Sequence, residues 1–490
     1  MELERCSFFK MLIIISAVFM ILANSIHGEE FPFVNAVSSG KTGIIVDFSR
    51  TMDDSTVNKD TFVVKVVLKG IGWGTLAGKV DCDGAVAVFS PCADLIPGLE
   101  YTVTIADGVR DLSGNSPESD WLGSFVIPNI NPALAESLQA MLDRITAEND
   151  DIHNAALLVE APGFKWKGSS GMANPEEETA MLPDNQFKST SIAKMMLATM
   201  VVKLSEAGQI GLDDKIGQYL SESVMKGLHE YEGQSLGGSI TIRQLLNHTS
   251  GLRDYVFDQE SDFIQIMLEN PDKLWSPEET IEYVKQNLPP LFPPGQGANY
   301  ADTNYQLAGL IIEKVVGKPL HESYRQLLFD PLHMEHTYME FRETPRPAIP
   351  GRLPSHVYMD DFDYTSMRTL SAEWGGGGLQ TTTEDMNRFI RAFVQNGIFA
   401  DLSLKEDMLK WINLGYGIYY GLGVSRIVFD ETGAELGEIL GHDGVSNSFM
   451  MYWQNEDVTI CGTLNQNQPE KAGWIDLILQ VMAMIRDNLE

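Results

Sequence analysis

Apolar residues fall along this chain in three rhythms, and each predicts a different kind of element. Residues 11–23, MLIIISAVFMILA, are an unbroken apolar run behind Arg5 and Lys10, with small residues after it. The run has the length of a secretory h-region and is too short for a comfortable membrane span, so residues 1–28 read as a signal peptide. Glu2 and Glu4 weaken its basic flank, which keeps an uncleaved anchor as the alternative. From 29 to 130 the rhythm is short. Residues 44–48 (IIVDF), 62–68 (FVVKVVL), 85–89 (AVAVF) and 101–105 (YTVTI) are rich in β-branched and aromatic residues. In the last of these, Tyr101, Val103 and Ile105 share one face and Thr102 and Thr104 the other. Turn signals at Asp83-Gly84, Pro97-Gly98 and Ser113-Gly114-Asn115 separate the segments, which predicts a β-sandwich of about 100 residues. Beyond 131 the pattern turns helical over residues 132–148. Strand-like pieces follow at 155–160 and 164–168, and then a segment that is apolar nearly all round begins after Ser191, as in a buried helix.

Composition narrows the function classes. The chain has 490 residues, 35 Lys+Arg and 68 Asp+Glu, a formal net charge of −33. Such a chain repels phosphates, which argues against a nucleic-acid partner and against binding to an anionic membrane surface. Hydrophobic residues make up 44%, enough for large buried cores. Cys82 and Cys92 are close enough in sequence to staple neighbouring strands in an oxidising compartment. Cys461, inside VTICGTL, reads as a buried core thiol. No Cys-x-x-Cys or zinc spacing occurs. His333 and His336 lack an acidic or cysteine partner that would complete a metal site and read as a solvent-exposed loop.

Candidate chemistry begins at Ser191-Ile192-Ala193-Lys194. A serine hydroxyl is a poor nucleophile until a base takes its proton. A lysine three residues on lies on the same helical face, where burial lowers its pKa. Amides at a helix start can also serve an oxyanion hole. By itself Ser-x-x-Lys is a common chance match. Four further segments accompany it: TIRQLLNHTSGL at 241–252, Tyr300-Ala301-Asp302 before another apolar helix, WGGGGLQTTTEDMNRF at 374–389, and GHDGVSNSFMMYW with His442-Asp443-Gly444. The glycines at 375–378 lack the lysine of a P-loop and the spacing of a dinucleotide site and read as a tight turn near the cleft, followed by a capping box of Thr381 and Glu384.

In this order the five segments resemble the β-lactamase and penicillin-binding serine hydrolase family, in its class C branch with D-alanyl-D-alanine carboxypeptidases and related esterases. The segments VDFSRTMDDSTVNKDTFVV and FSPCADLIPGLEYTVTIADGVRDLSGN resemble a bacterial Ig-like domain, usually a spacer or adhesion unit. The resemblance implies an all-β sandwich over 29–130 and, over 131–490, an α+β fold with an antiparallel sheet flanked by helices beside a helical lobe. It implies Ser191 as acylated nucleophile and Lys194 and Tyr300 sharing the proton work. It places His442 against Tyr300 or the substrate, and forms the oxyanion hole from the backbone N–H groups of Ser191 and Val445. It implies no cofactor. His248 resembles the family's helix-ending turn and takes a structural role. The implied activity is exported hydrolysis of an amide or ester, of carboxypeptidase or esterase type, on a small molecule or a peptide such as a cell-wall peptide. A class C-like β-lactamase and a penicillin-binding sensor or adhesion module are the rivals.

Two departures bear on substrate. Asp302 stands where the family has asparagine; an ionised carboxylate only accepts hydrogen bonds, and its charge favours a protonated Lys194. Asp443, beside Gly444, stands where a hydroxyl is common. Facing the cleft, it would repel the carboxylate that penicillins and D-Ala-terminated peptides carry. The expectation is a preference for neutral or cationic substrates.

Overall fold

The computed structural model describes residues 34–40, 43–68, 72–91, 100–117, 119–126, 131–415, 417–429, 436–467 and 473–489. The expected signal segment and Cys92 lie outside the described residues. The chain divides into two compact units, the first ending essentially at Ile130 and the second beginning at Asn131.

The first unit is two four-stranded antiparallel sheets. One orders Val34–Gly40, Gly43–Phe48, Val86–Pro91 and Gly78–Asp83; the other orders Gly72–Thr75, Phe62–Leu68, Glu100–Ile105 and Trp121–Val126. The inward faces of both share one core. Ile44, Val46 and Phe89 from the first sheet meet Phe62, Val64, Tyr101 and Val103 from the second, and the Phe62 and Phe89 rings lie 5.9 Å apart. The period-two alternation places these residues on one side of each strand, so burial follows directly from the sequence pattern. Cys82 is a free, half-buried thiol.

The second unit is built on a nine-stranded antiparallel sheet. Its order is Thr179–Ala180, Phe164–Asn174, Asn154–Ala161, Val458–Thr463, Ser448–Trp453, Glu438–Asp443, Ser425–Val428, Ile418–Tyr420 and Ile412–Gly415. The helices Pro132–Glu148 and Trp474–Leu489 pack together, and the amphipathic helix Thr383–Val394 lies against the strands Asn154–Ala161, Ser448–Trp453 and Val458–Thr463. Strands drawn from both ends of the chain thus form the centre of the sheet, and Cys461 is fully buried there. This is an α+β architecture with a large antiparallel sheet and helices around it.

Two helices carry the interior beside the sheet. Ala193–Glu206 opens on Ala-Lys-Met-Met-Leu-Ala, all good helix formers, and is buried on nearly every side, as its all-round apolar pattern predicts. Asp302–Val316 ends at Gly317, whose φ of 74° supplies the left-handed cap that a side chain resists. The capping box expected at Thr381 and Glu384 is corrected by one residue. Thr381 pairs with Phe187 in a short sheet, so the helix starts later, with the Thr382 side chain accepting from the Asp385 amide. His333 and His336 are half-buried rather than fully exposed: the His333 carbonyl accepts from Arg388, and the His336 amide donates to Asp385.

Candidate active site

Ser191 sits in the single 3-10 turn Thr190–Ile192, directly ahead of the Ala193–Glu206 helix. Thr190 has φ +45°. A β-branched residue in that region costs about 1–3 kcal/mol and persists only where its surroundings enforce it. Here the Thr190 hydroxyl lies 3.1 Å from Ser448 Oγ, and Ser448 Oγ donates to the Ser189 carbonyl at 2.8 Å. The turn before the serine is thereby tied to the central sheet.

Lys194, one turn up the same helix face, is fully buried. Its ammonium donates to Ser191 Oγ at 2.9 Å and to the Gly376 carbonyl at 2.8 Å, and makes an ion pair with Asp302 at 2.5 Å. It lies 5.0 Å from the Tyr300 ring centre. Burial opposes the charge, but Asp302 and Tyr300 more than offset it and hold Lys194 above its ordinary pKa. Lys194 is therefore a protonated donor in this arrangement, the effect expected of aspartate at 302. Asp302 is the first residue of its helix, where the helix dipole favours a carboxylate, and its amide donates to Asp254 at 2.5 Å. Burial and the Asp302 charge beside it raise the Asp254 pKa.

Tyr300 is within hydrogen-bonding reach of both Ser191 and Lys194. Burial pushes its phenol up to about 12 against the lowering effect of Lys194. His248 backs it, with ring centres 4.3 Å apart. The His248 Nδ1 accepts from the Ala301 amide at 3.1 Å and lies 3.1 Å from Asn304 Nδ2, whose Oδ1 in turn accepts from Ser250. His248 thus fixes the backbone that presents Tyr300, a structural role.

His442 lies in the strand Glu438–Asp443 and is buried. Its Nδ1 is 2.6 Å from the Asp443 carbonyl, which can only accept, so the proton resides on Nδ1. Nε2 then accepts from Tyr420 Oη at 2.9 Å. Burial, helped by the charge on Lys194, lowers the imidazole to about 3, so His442 is neutral. The expected His442–Tyr300 contact is a ring approach of 6.4 Å between centres; the close hydrogen-bond partner is Tyr420.

Ser191 and Val445 line one cavity, with Val256, Phe257, Met267 and Glu373. Asp443 does not line it. Its half-buried carboxylate takes a hydrogen bond from Trp474, and burial raises its pKa to about 6. Asp302 also lines the cavity, and beside it stands Glu373, a second carboxylate that the sequence pattern did not single out. Gly376 and Tyr420 were missed as well: a backbone carbonyl and a buried strand tyrosine leave no signature of their own. Gly375, Gly376 and Gly377 belong to the short helical turn Trp374–Gly377, which Gly378 caps, and the Gly376 carbonyl holds Lys194. Among the described residues no cluster of His, Cys, Asp and Glu could hold a metal ion.

Gly444 is where the strand end approaches the Thr190–Ile192 turn. A Cβ there would lie 1.8 Å from Thr190 Oγ1, 2.4 Å from Ser448 Oγ and 2.9 Å from the Ser189 carbonyl. Gly444→Ala is expected to separate Val445 from Ser191 and lower kcat/KM for an activated ester by about 10²-fold. Activity within twofold of wild type in a well-folded variant would show that this approach is not needed.

The family described as Beta-lactamase matches residues 142–483, and the one described as Bacterial Ig-like domain matches residues 31–125. Penicillin-binding protein 4* of Bacillus subtilis (strain 168) is 26% identical over 321 residues, 63% of this chain and 66% of the relative. The chain thus spans just under two thirds of that relative's length. Esterase EstB of Burkholderia gladioli is 25% identical over 335 residues, 62% of this chain and 82% of the relative. The crystal structure of the D-amino acid amidase from Ochrobactrum anthropi SV3 with D-phenylalanine superposes with a TM-score of 0.62 at 22% identity, covering 72% of this chain and 99% of that one.

Proposed function

The chain belongs to the beta-lactamase family of serine hydrolases, with a bacterial Ig-like domain ahead of that region, and on that footing we propose that it cleaves an amide or ester through an acyl group carried on Ser191. The carrying observation is Lys194 Nζ at 2.9 Å from Ser191 Oγ, with Tyr300 in reach of both atoms. The Lys194 ammonium is held by Ser191 Oγ, the Gly376 carbonyl and Asp302, so it serves as a fixed positive charge. Tyr300 is the relay. As Ser191 Oγ attacks the carbonyl, its proton passes to Tyr300 Oη, and Tyr300 passes its own proton to the leaving nitrogen or oxygen. The phenol never holds a full negative charge, consistent with a pKa of about 12. The Ser191 and Val445 amides receive the oxyanion. Water then attacks the acyl-serine through the same relay in reverse. His442, neutral and held by Tyr420, shapes the wall behind Tyr300.

Esterase or peptide-amidase turnover fits this cleft better than β-lactam hydrolysis, because Lys194 is already paired with Asp302 and Lys188 with Glu340, so neither offers a free charge to a substrate carboxylate. The apolar run at 11–23 supports export, with the Ig-like domain as a spacer or adhesion unit. The test is to incubate the protein with a chromogenic ester, a D-Ala-D-Ala peptide and a labelled penicillin, following turnover and intact mass. Ester or peptide turnover through an acyl adduct is expected. Stable penicillin labelling with no turnover would favour a sensor, and neither turnover nor adduct would remove the enzyme reading. Tyr300→Phe is expected to lower kcat by about 10²- to 10⁴-fold. If kcat stays within threefold, the relay is elsewhere.

A further inference from the structure

We propose that Glu373 is the specificity-determining residue of this cleft and receives the ammonium of an amine-bearing acyl group whose apolar side chain rests on Val256, Phe257 and Met267. The proposal rests on the hydrolase reading above and names its substrate class: α-amino acyl amides and esters.

Four observations converge on it. Glu373 lines the same cavity as Ser191 and Val445. It is only partly exposed, and among the described residues its carboxylate has no hydrogen bond or ion pair. A partly buried carboxylate without a partner is costly, and a cation from outside removes the cost. Its position is built in. Glu373 caps the turn Trp374–Gly377, its carbonyl accepts from the Gly376 and Gly377 amides, and its Oε2 would lie 2.7 Å from a Cβ at Gly377. A glycine at 377 leaves the carboxylate room to lie beside the nucleophile turn.

The surrounding charges favour the same ligand. Lys194 is matched by Asp302, Lys188 by Glu340, and His442 is neutral, so among the described residues these cations do not compete for Glu373. Burial raises the carboxyl to about 7, with Lys188 opposing; a bound ammonium would draw it back to the ionised form. Val256, Phe257, Met267 and Ala372 form the apolar part of the wall, and Phe257 is 53% exposed, which suits an aliphatic or aromatic side chain.

The test compares phenylalanine 4-nitroanilide with its deamino analogue, 3-phenylpropanoyl 4-nitroanilide, and the matching nitrophenyl esters, in wild type and Glu373→Gln. Wild type should favour the amine-bearing member of each pair by about 10- to 100-fold, mainly through KM, and Glu373→Gln should collapse that ratio towards one. Calorimetric binding of 2-phenylethylammonium reads the same contact without catalysis and should weaken by a similar factor in the variant. A wild-type ratio near one, or a ratio that survives Glu373→Gln, overturns the assignment while Ser191-dependent ester turnover leaves the hydrolase reading intact. Ammonium binding without turnover of any substrate would do the reverse.

Discussion

Ser191→Ala is expected to lower ester turnover by about 10⁴- to 10⁶-fold and to remove the acyl adduct seen by intact mass, because Ser191 carries the hydroxyl that Lys194 and Tyr300 both reach. The substitution is structurally mild. Ser191 is half-exposed in a 3-10 turn whose geometry is held by Thr190 and Ser448, not by its own hydroxyl. Lys194 loses one of its contacts but retains the Gly376 carbonyl and Asp302. The thermal midpoint should therefore stay close to that of the wild type while the chemistry disappears. Residual turnover above a hundredth of wild type would place the nucleophile elsewhere.

Lys194→Met should fail in a different way, losing both activity and stability. A methionine fills similar space on a helix already rich in methionine, so packing changes little. What changes is charge: Asp302, nearly buried, loses its ion-pair partner and faces Asp254 and Glu373. Leaving one member of a buried pair uncompensated costs about 3–5 kcal/mol. Adding Asp302→Asn removes that charge, so the double variant should regain most of the lost stability, read by denaturant midpoint, and remain inactive. Were the double variant as unstable as Lys194→Met alone, the ion pair would not be the source of the loss. Were it active, Lys194 would not be needed to hold the charge around Ser191 and Tyr300.

Much of the fold was legible in the chain. The strands at 62–68 and 101–105 alternate cleanly, and the helix at 132–148 emerges with its expected bounds, started by Asn131 as N-cap with Pro132 behind it. The strands Gly72–Thr75 and Gly78–Asp83 were not anticipated. Their glycines and charged residues carry little strand preference, and they form because a partner strand offers a ladder to join. Thr381 misled for a related reason: cap and strand end both accept threonine, and the pairing with Phe187 decides which it becomes.

At the site, the sequence by itself determined the local relations. Ser191 and Lys194 are three residues apart at the start of a buried helix, so they share a face, and an aspartate at 302 must favour a charged lysine wherever the two meet. Tertiary structure alone decided the rest. Gly376, 182 residues from Lys194 in sequence, supplies its carbonyl. Tyr420 takes His442, and Trp474 takes the Asp443 carboxylate. Glu373, placed by one turn of glycines, becomes a second carboxylate lining the cleft beside Asp302. Side-chain direction over such separations depends on which elements pack together, and helical or strand periodicity holds no information about that. Of the two carboxylates the sequence suggested for an acidic cleft, Asp302 lines the cavity and Asp443 turns to Trp474, while Glu373 joins Asp302 there.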